Sequence, residues 1–544
     1  MYGSERGGVA GLTKTVPRGP RLVSPDWLPA PKSRPGILGW VAATDITISL
    51  LLMTFVCMAG PSLVVPAIPR TWPIPPLWFP LHLSQATSVT LIYFAIVLGG
   101  VGVACGLVAV RRGARPNLRL LAAGVIVAIV VLALLPPGGS TDSLSYAAYG
   151  RIALIGHNPY VMTPAQLRAI GDPVGLQTTR NWQTDPSLYG PVAIAVDWAA
   201  AKVGGIMISY IAEWLKLVFA LAFGVIALML DRLLRSDPAA RARAHLLWTV
   251  NPLMLWAVVG GDHIDGLGAG LGILGLLVAR TGAAAPGARI PPARALAAGL
   301  LVGAAIAIKA PYFPLGLALA WSCRNSVKAT AAAGIGGVMA VVPGYLIAGP
   351  AALKDLLVRS SNLVTFDSFW RLFYPPFGYD SMPRGLELFA AAGCVVVAAL
   401  LAWRLPAGPP HLPAIRPAIA LMLAWLLVWP LQRPWYDAIA FCLLAVVPAS
   451  RLDTLMLIRA VPAAMAVAIG TVVRPPPPWV SDVEIYIGYS LSPCIRLCVV
   501  IAAATLCLTA GWTPGGVAPP RPAQASWDRT PEDPEGLRAD GLAG

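Results

Sequence analysis

Charge is what this 544-residue chain has least of. Only 12% of its residues are Asp, Glu, Lys or Arg, where an ordinary soluble domain carries about 25%. Metal-ligand spacing is missing too. The eight cysteines fall mostly inside apolar runs, and the nearest pair, Cys494 and Cys498, lies one helical turn apart and reads as packing. There is no G-x-x-x-x-G-K-[ST] loop and no G-x-G-x-x-G between a strand and a helix. Work driven by a cytoplasmic nucleotide is therefore not expected, and an activated substrate would have to arrive through the membrane. Residues 1–37 are rich in Pro, Gly and Arg without an apolar core, so a cleavable signal peptide is not expected. They and residues 512–544 read as disordered cytoplasmic tails.

What is present is oil. Hydrophobic residues make up 57% of the chain, mean hydropathy is +0.70, and long apolar runs recur between residues 38 and 511. The expected fold is an all-α polytopic membrane domain over 38–511 with about fourteen spans. Several runs are shorter than about 20 residues, so the pairs around Asp262, Lys309 and Arg433 should be tight hairpins or broken helices. Of the 40 Lys and Arg, 26 fall in the two tails and in the loops 111–119, 232–244, 280–294, 324–328, 404–416 and 451–459. The positive-inside rule makes that side cytoplasmic. The net charge of +15 is spread thinly, without a basic stripe, which fits topology and not a nucleic-acid partner. Facing outward are 137–208 and the loops 61–86, 261–265, 349–385 and 474–486. This assignment requires 188–204, with Asp197 and Lys202, to lie at the outer surface. Residues 137–208 then form an outward platform, with helices expected at 143–155 and 164–171. Arg496 sits in the last span without a sequence-level account.

With this topology the unusual polar residues gather on one face: Asp142, then Asp262, His263 and Asp265 in GGDHIDG, Lys309, Arg359 and Arg371, and Arg433, Trp435 and Tyr436 in RPWYD. Ionisable groups at membrane depth cost about 2.5–3.5 kcal/mol each on insertion scales and usually face a cavity. Each has a plainer account. Asp142 suits a helix start, GGDHIDG suits a glycine-eased turn, Lys309 can snorkel, and Arg433 with Trp435 can anchor at the interface. Together they suit one chemistry. A lone carboxylate acts as general base on a sugar hydroxyl, Lys and Arg hold a departing phosphate, and Trp182, Trp370 and Trp435 offer faces for sugar rings.

The order DSLSYAAYGRIALIGHNPY, DPSLYGPV, NPLMLWAVVGGDHIDGL, GAAIAIKAPYFPL and RPWYD resembles the polyprenol-phosphate-mannose-dependent α-1,6-mannosyltransferases of actinobacteria, across about residues 40–450. These are multispanning glycosyltransferases of the GT-C fold that help build lipomannan-type glycolipids. The family pattern D-x-x-S-Y-x-x-x-G-x-x-x-x-x-G-x-(D/N)-P-Y maps onto Asp142, Ser145, Tyr146, Gly150, Gly156, Asn158, Pro159 and Tyr160. N-P-L…G-G-x-H-N-D maps onto Asn251, Pro252, Leu253, Gly260, Gly261, His263 and Asp265, with Asp262 in place of a small residue and Ile264 in place of Asn. The resemblance implies an inverting transfer of mannose from a polyprenyl-monophosphate donor to a glycolipid or glycan acceptor on the extracytoplasmic face. Asp142 takes the place of the family's proposed base. Lys309, Arg433, Arg371 and Arg359 are expected at the donor phosphate. Tyr146, His157, Asn158, Tyr160, Tyr189, Asp262, His263, Asp265, Trp435 and Tyr436 are expected around the substrates. No cofactor and no metal is expected. The same fold with another lipid-linked sugar, such as arabinose, is the alternative; a glycolipid transporter is the reading from a different class, and repeated halves with matching broken helices are missing.

Overall fold

In a computed structural model of the chain, the described residues are 36–178, 182–282, 288–358, 364–373, 384–405, 408–469 and 476–509. Among them every regular element is a helix and none is a strand. The expected tails lie outside the described residues except for Gly36 and Ile37, and so does Arg359.

Six helices are long and apolar enough to cross a membrane: Ile37–Met58, Gln85–Arg111, Ile208–Leu233, Val327–Ala348, Gly385–Arg404 and Pro478–Thr509. Pro238–Gly260 and Asp265–Val278, bent by 115°, make a seventh if taken as one broken span. The chain is a membrane protein. Length and composition do not return the expected fourteen spans. Leu118–Ala133, Pro292–Ile308, Ile415–Val428 and Pro434–Val446 are apolar but hold only 10–17 residues. At about 1.5 Å per residue they reach roughly 15–26 Å, short of a 30 Å hydrocarbon core. The apolar runs behind them are interrupted at Asp262, Lys309 and Arg433, where the chain leaves helical geometry. The outward loop expected at 474–486 is helical from Pro478 onward.

Small residues set the closest helix pair. Pro292–Ile308 lies along Val327–Ala348 so tightly that a Cβ on Gly299 would run into the Ala333 backbone. Such close approach lets backbones, rather than side chains, make the contact in lipid. Only 11% of the most apolar stretch of Val327–Ala348 is buried inside the protein, so the rest of its surface needs lipid tails.

Within 137–208 helices form at Asp142–Leu154 and Pro164–Ala169. Helix Asp142–Leu154 packs on Pro191–Gly204, and Gly150 admits the Asp197 backbone where any Cβ would collide. Pro164–Ala169 opens with a capping box between Thr163 and Gln166. Arg151 ties the platform helix to Asp172 at 2.8 Å.

Helix Ile208–Leu233 separates two polar ends. Near its C-terminus Asp231 pairs with Arg241 at 2.5 Å and His245 at 2.9 Å. Arg243 grips Asp453 at 2.6 and 2.8 Å, and Arg111 reaches it at 3.4 Å. Three loops assigned to one side by their charge are thus in contact. Lys216, about 22 Å back along the same helix at 1.5 Å per residue, donates to the carbonyls of Leu135 (2.5 Å) and Pro136 (3.0 Å) at the other end. Arg459 corrects the loop count, because it is buried and belongs to neither set of exposed charges. It pairs with Asp437 and donates to Gln432 Oε1 at 2.9 Å. Arg496 gains its account here: it pairs with Asp367 and donates to the same Gln432 oxygen at 2.8 Å. Two buried cations, two carboxylates and a shared amide form one connected network, and it braces the turn that carries Arg433, Trp435 and Tyr436.

Candidate functional site

Four breaks in helical structure converge at the Lys216 end. The first is LPPGGST, residues 135–141, which runs into Asp142. Lys216 holds its first two carbonyls. Gly138 N–H donates to Gly260 O at 2.9 Å and Gly139 N–H to Val64 O at 2.7 Å. Asp142 is the first residue of its helix, and its backbone N–H donates to Ser140 Oγ at 3.1 Å. No backbone N–H of this helix donates to the Asp142 carboxylate among the described residues. The side chain is therefore not used as a cap, and 13% of it stays exposed. Burial pushes the Asp142 carboxyl above the usual range, while Lys309 and Arg433 pull it back down.

The second break, GGDHID, places its two acids in different surroundings. Asp262 stands at φ 58°, fully buried, within electrostatic reach of Lys216, Glu213 and Asp197. Asp265 opens the next helix and takes Lys309 Nζ on both oxygens, at 2.9 and 3.2 Å. Between them His263 accepts the face of Trp435, with ring centroids 3.6 Å apart and planes 16° apart. His263 Nε2 faces Asp142 Oδ2 at 3.8 Å.

The third and fourth breaks bring Lys309 and the RPWYD turn. The Lys309 ammonium lies 4.3 Å above the Tyr436 ring and 5.2 Å above the Tyr189 ring. Tyr189 in turn meets Tyr146 edge-on at 4.9 Å. Arg433 is half-buried and near enough to Asp142, His263 and Tyr436 to act on them electrostatically. Its guanidinium sits 5.7 Å over the Phe366 ring and enters no salt bridge among the described residues.

The structure thus brings together Asp142, Tyr146, Tyr189, His263, Asp265, Lys309, Arg433, Trp435 and Tyr436. It does not bring the far end of the motif with them. His157, Asn158 and Tyr160 follow the C-terminus of the platform helix, about 18 Å from Asp142 by helical rise. His157 is exposed. Asn158 accepts from Tyr160 N–H and donates to Ala348 O, both at 2.9 Å, so it fastens a turn. Arg371 donates to Val364 O at 2.9 Å and shapes its own loop. Lys309 also departs from expectation: its counter-ion is Asp265, where the sequence suggested a ligand phosphate. Lys216 and Glu213 lie outside the residues expected at the site, although two ionisable residues within ISYIAEWLKLVF carry the same membrane-depth signal as Lys309.

Comparison with known proteins follows this geometry. A family model described as alpha-(1->6)-mannopyranosyltransferase, N-terminal domain, matches residues 49–325, just over half of the chain. A probable alpha-(1->6)-mannopyranosyltransferase of Mycolicibacterium smegmatis is 30% identical over 152 residues, 28% of this chain and 26% of that protein. An alpha-(1->6)-mannopyranosyltransferase of Mycobacterium tuberculosis is 28% identical over 151 residues, 28% of this chain and 26% of that protein. Alpha-(1->6)-mannopyranosyltransferase B of Corynebacterium glutamicum is 28% identical over 154 residues, 27% of this chain and 25% of that protein. The chain spans about a quarter of the length of these relatives in the matched segments.

Proposed function

Because the chain belongs to the alpha-(1->6)-mannopyranosyltransferase family, we propose that it moves a mannosyl group from a polyprenyl-monophosphate donor to a glycan or glycolipid hydroxyl. The transfer takes place on the extracytoplasmic face of a GT-C-type membrane domain, inverts the anomeric centre and forms an α-1,6 link in lipomannan-type synthesis. One observation supports this most: a partly exposed carboxylate, Asp142, stands uncommitted to capping beside Lys309 and Arg433. Asp142 accepts the proton of the attacking hydroxyl. That oxygen bonds to the anomeric carbon as the carbon–oxygen bond to phosphate breaks, and the electron pair leaves on the phosphate.

Arg433 is the cation best placed to receive that phosphate. Lys309 shares its charge with Asp265, whereas Arg433 has a fork free for bidentate contact. Arg433→Gln should raise KM for the donor about tenfold, roughly the worth of one charge-assisted hydrogen bond. A steady-state titration of donor at saturating acceptor reads this, and an unchanged KM removes Arg433 from the phosphate.

Divalent metal should be dispensable. A monophosphate leaves with less charge than a diphosphate, and of the two nearby acids Asp265 is taken by Lys309 while Asp262 is fully buried. Activity should survive EDTA; abolition by EDTA with recovery on Mg²⁺ or Mn²⁺ makes the reaction metal-assisted instead. The decisive assay for the whole reading uses purified protein in detergent with radiolabelled polyprenyl-phosphate sugars and crude membrane acceptors. Label should pass from the mannose donor. Transfer from an arabinose donor alone, or from neither, overturns the assignment.

A further inference from the structure

His263 is held more firmly than a residue that merely lines a cleft. Its Nδ1 lies 2.6 Å from Ala257 O. A carbonyl oxygen only accepts, so Nδ1 carries the proton and Nε2 of the neutral ring is a lone pair. Trp435 covers one face of the ring. Gly261 packs against it so closely that a Cβ there would come within 2.7 Å of the ring's Cε1 and Nδ1. Three independent contacts therefore aim Nε2 in one direction.

Among the described residues that direction holds no donor. The His263 side chain is 2% exposed and Nε2 has no hydrogen-bond partner among the described residues. What it faces, at 3.8 Å, is Asp142 Oδ2, another acceptor. With Asp142 ionised, as a base must be, the two acceptors leave a gap that suits hydrogen-bond donors. A buried acceptor left without a donor is costly, and a ligand that supplies one relieves the cost. A sugar carries hydroxyls on adjacent carbons, each able to donate one proton. The other charged groups acting on the ring are Asp265, which favours a cation there, and Lys309 and Arg433, which oppose one.

We infer that His263 Nε2 accepts a hydrogen bond from a second hydroxyl of the acceptor sugar, next to the hydroxyl that Asp142 deprotonates. His263 then fixes which face of the acceptor meets the donor and which hydroxyl attacks. This rests on the proposed role of Asp142 as base. It adds an acceptor-specificity residue to a site whose other groups serve the proton and the phosphate.

A cycle between enzyme and acceptor tests it. Wild type and His263→Asn are each assayed with a mannoside acceptor and its monodeoxy analogues, all keeping the reacting hydroxyl. Asn retains an N–H for Ala257 O and lacks the distant lone pair. His263→Asn should lower kcat/KM on the full acceptor by about 10- to 100-fold, with KM for the donor unchanged. One deoxy analogue should cost wild type the same factor and cost His263→Asn nothing further, while penalties for the other analogues persist in both. Equal penalties for every analogue in both enzymes overturn the inference. A shift in the acid limb of the pH profile, with the analogue pattern unchanged, also overturns it and makes His263 a proton carrier. If His263→Asn does not fold, the deoxy series on wild type stands alone, and a wild type indifferent to every deoxy analogue overturns the inference. Activity retained by Asp142→Asn is a separate result that sinks the base assignment.

Discussion

Asp142→Asn should insert and fold as wild type does and lose about 10²- to 10⁴-fold in turnover, the usual worth of a general base. The amide keeps the shape of the carboxyl at the start of the platform helix, where no backbone N–H relies on it as a cap. What it cannot do is take a proton. KM for the donor should move little, because in the proposed arrangement the phosphate meets Arg433 and Lys309 and not Asp142. Near-wild-type turnover of mannose in this variant would remove Asp142 from the chemistry.

As the proposed base, the same carboxyl should set the acid limb of the pH profile. Burial raises its pKa, and Lys309 and Arg433 offset part of that. A base works only when deprotonated, so kcat/KM should fall as pH drops through the folded value. Because that value is raised, the fall should begin at higher pH than for an ordinary carboxylate of pKa near 3.9. Arg433→Gln removes one of the groups that lower it, so the limb should move further toward neutral pH. A limb that stays fixed in Arg433→Gln separates the two charges and contradicts the arrangement.

Which parts were legible in the sequence follows from how local each signal is. Helix existence was, because apolar runs and caps are local: Thr163 with Gln166, and Asp142 directly after LPPGGST, mark their helices within a residue or two. The convergence of Asp142, His263, Lys309 and Arg433 was legible because rare charges in oil, placed on one side by loop charge, have few places to go. Span count was not. Periodicity cannot tell a full span from a 16-residue helix that stops inside protein, and the breaks at Lys309 and Arg433 divide runs whose halves are each too short. Pairing was invisible as well. Lys309 looks like a cation awaiting a ligand until Asp265, 44 residues earlier, is placed 2.9 Å away. Arg496 and Asp367 are 129 residues apart, and only the fold can introduce them. The distance of the NPY end of the motif from Asp142 was not legible for a different reason. Asn158 and Tyr160 follow a helix whose start carries Asp142, and a rigid helix of 13 residues separates its two ends instead of joining them.

The Lys309–Asp265 pair gives the second large effect and separates folding from chemistry. Both side chains are buried, at 9% and 1% exposure. Breaking such a pair from one side leaves an uncompensated charge and costs about 3–5 kcal/mol. Lys309→Met should therefore destabilise the protein, and the loss should come from Asp265 left alone, since Met fills the aliphatic volume of Lys. Lys309→Met combined with Asp265→Leu removes both charges, so thermal stability in detergent should return to near the wild-type value. Turnover should not return with it. The ammonium lies over Tyr436 and Tyr189 and acts on Asp142, so a folded neutral pair lacks the cation that the proposed mechanism sets near the leaving phosphate. The double variant should be as stable as wild type and at least about 10²-fold slower, with KM for the donor raised. Lys309→Arg should keep the charge but not the fit, because a planar fork replaces a compact ammonium that both Asp265 oxygens and two aromatic rings surround. Two results contradict this account: a double variant as active as wild type, which makes the pair purely structural, or a Lys309→Met protein as stable as wild type, which means Asp265 was never left unpaired.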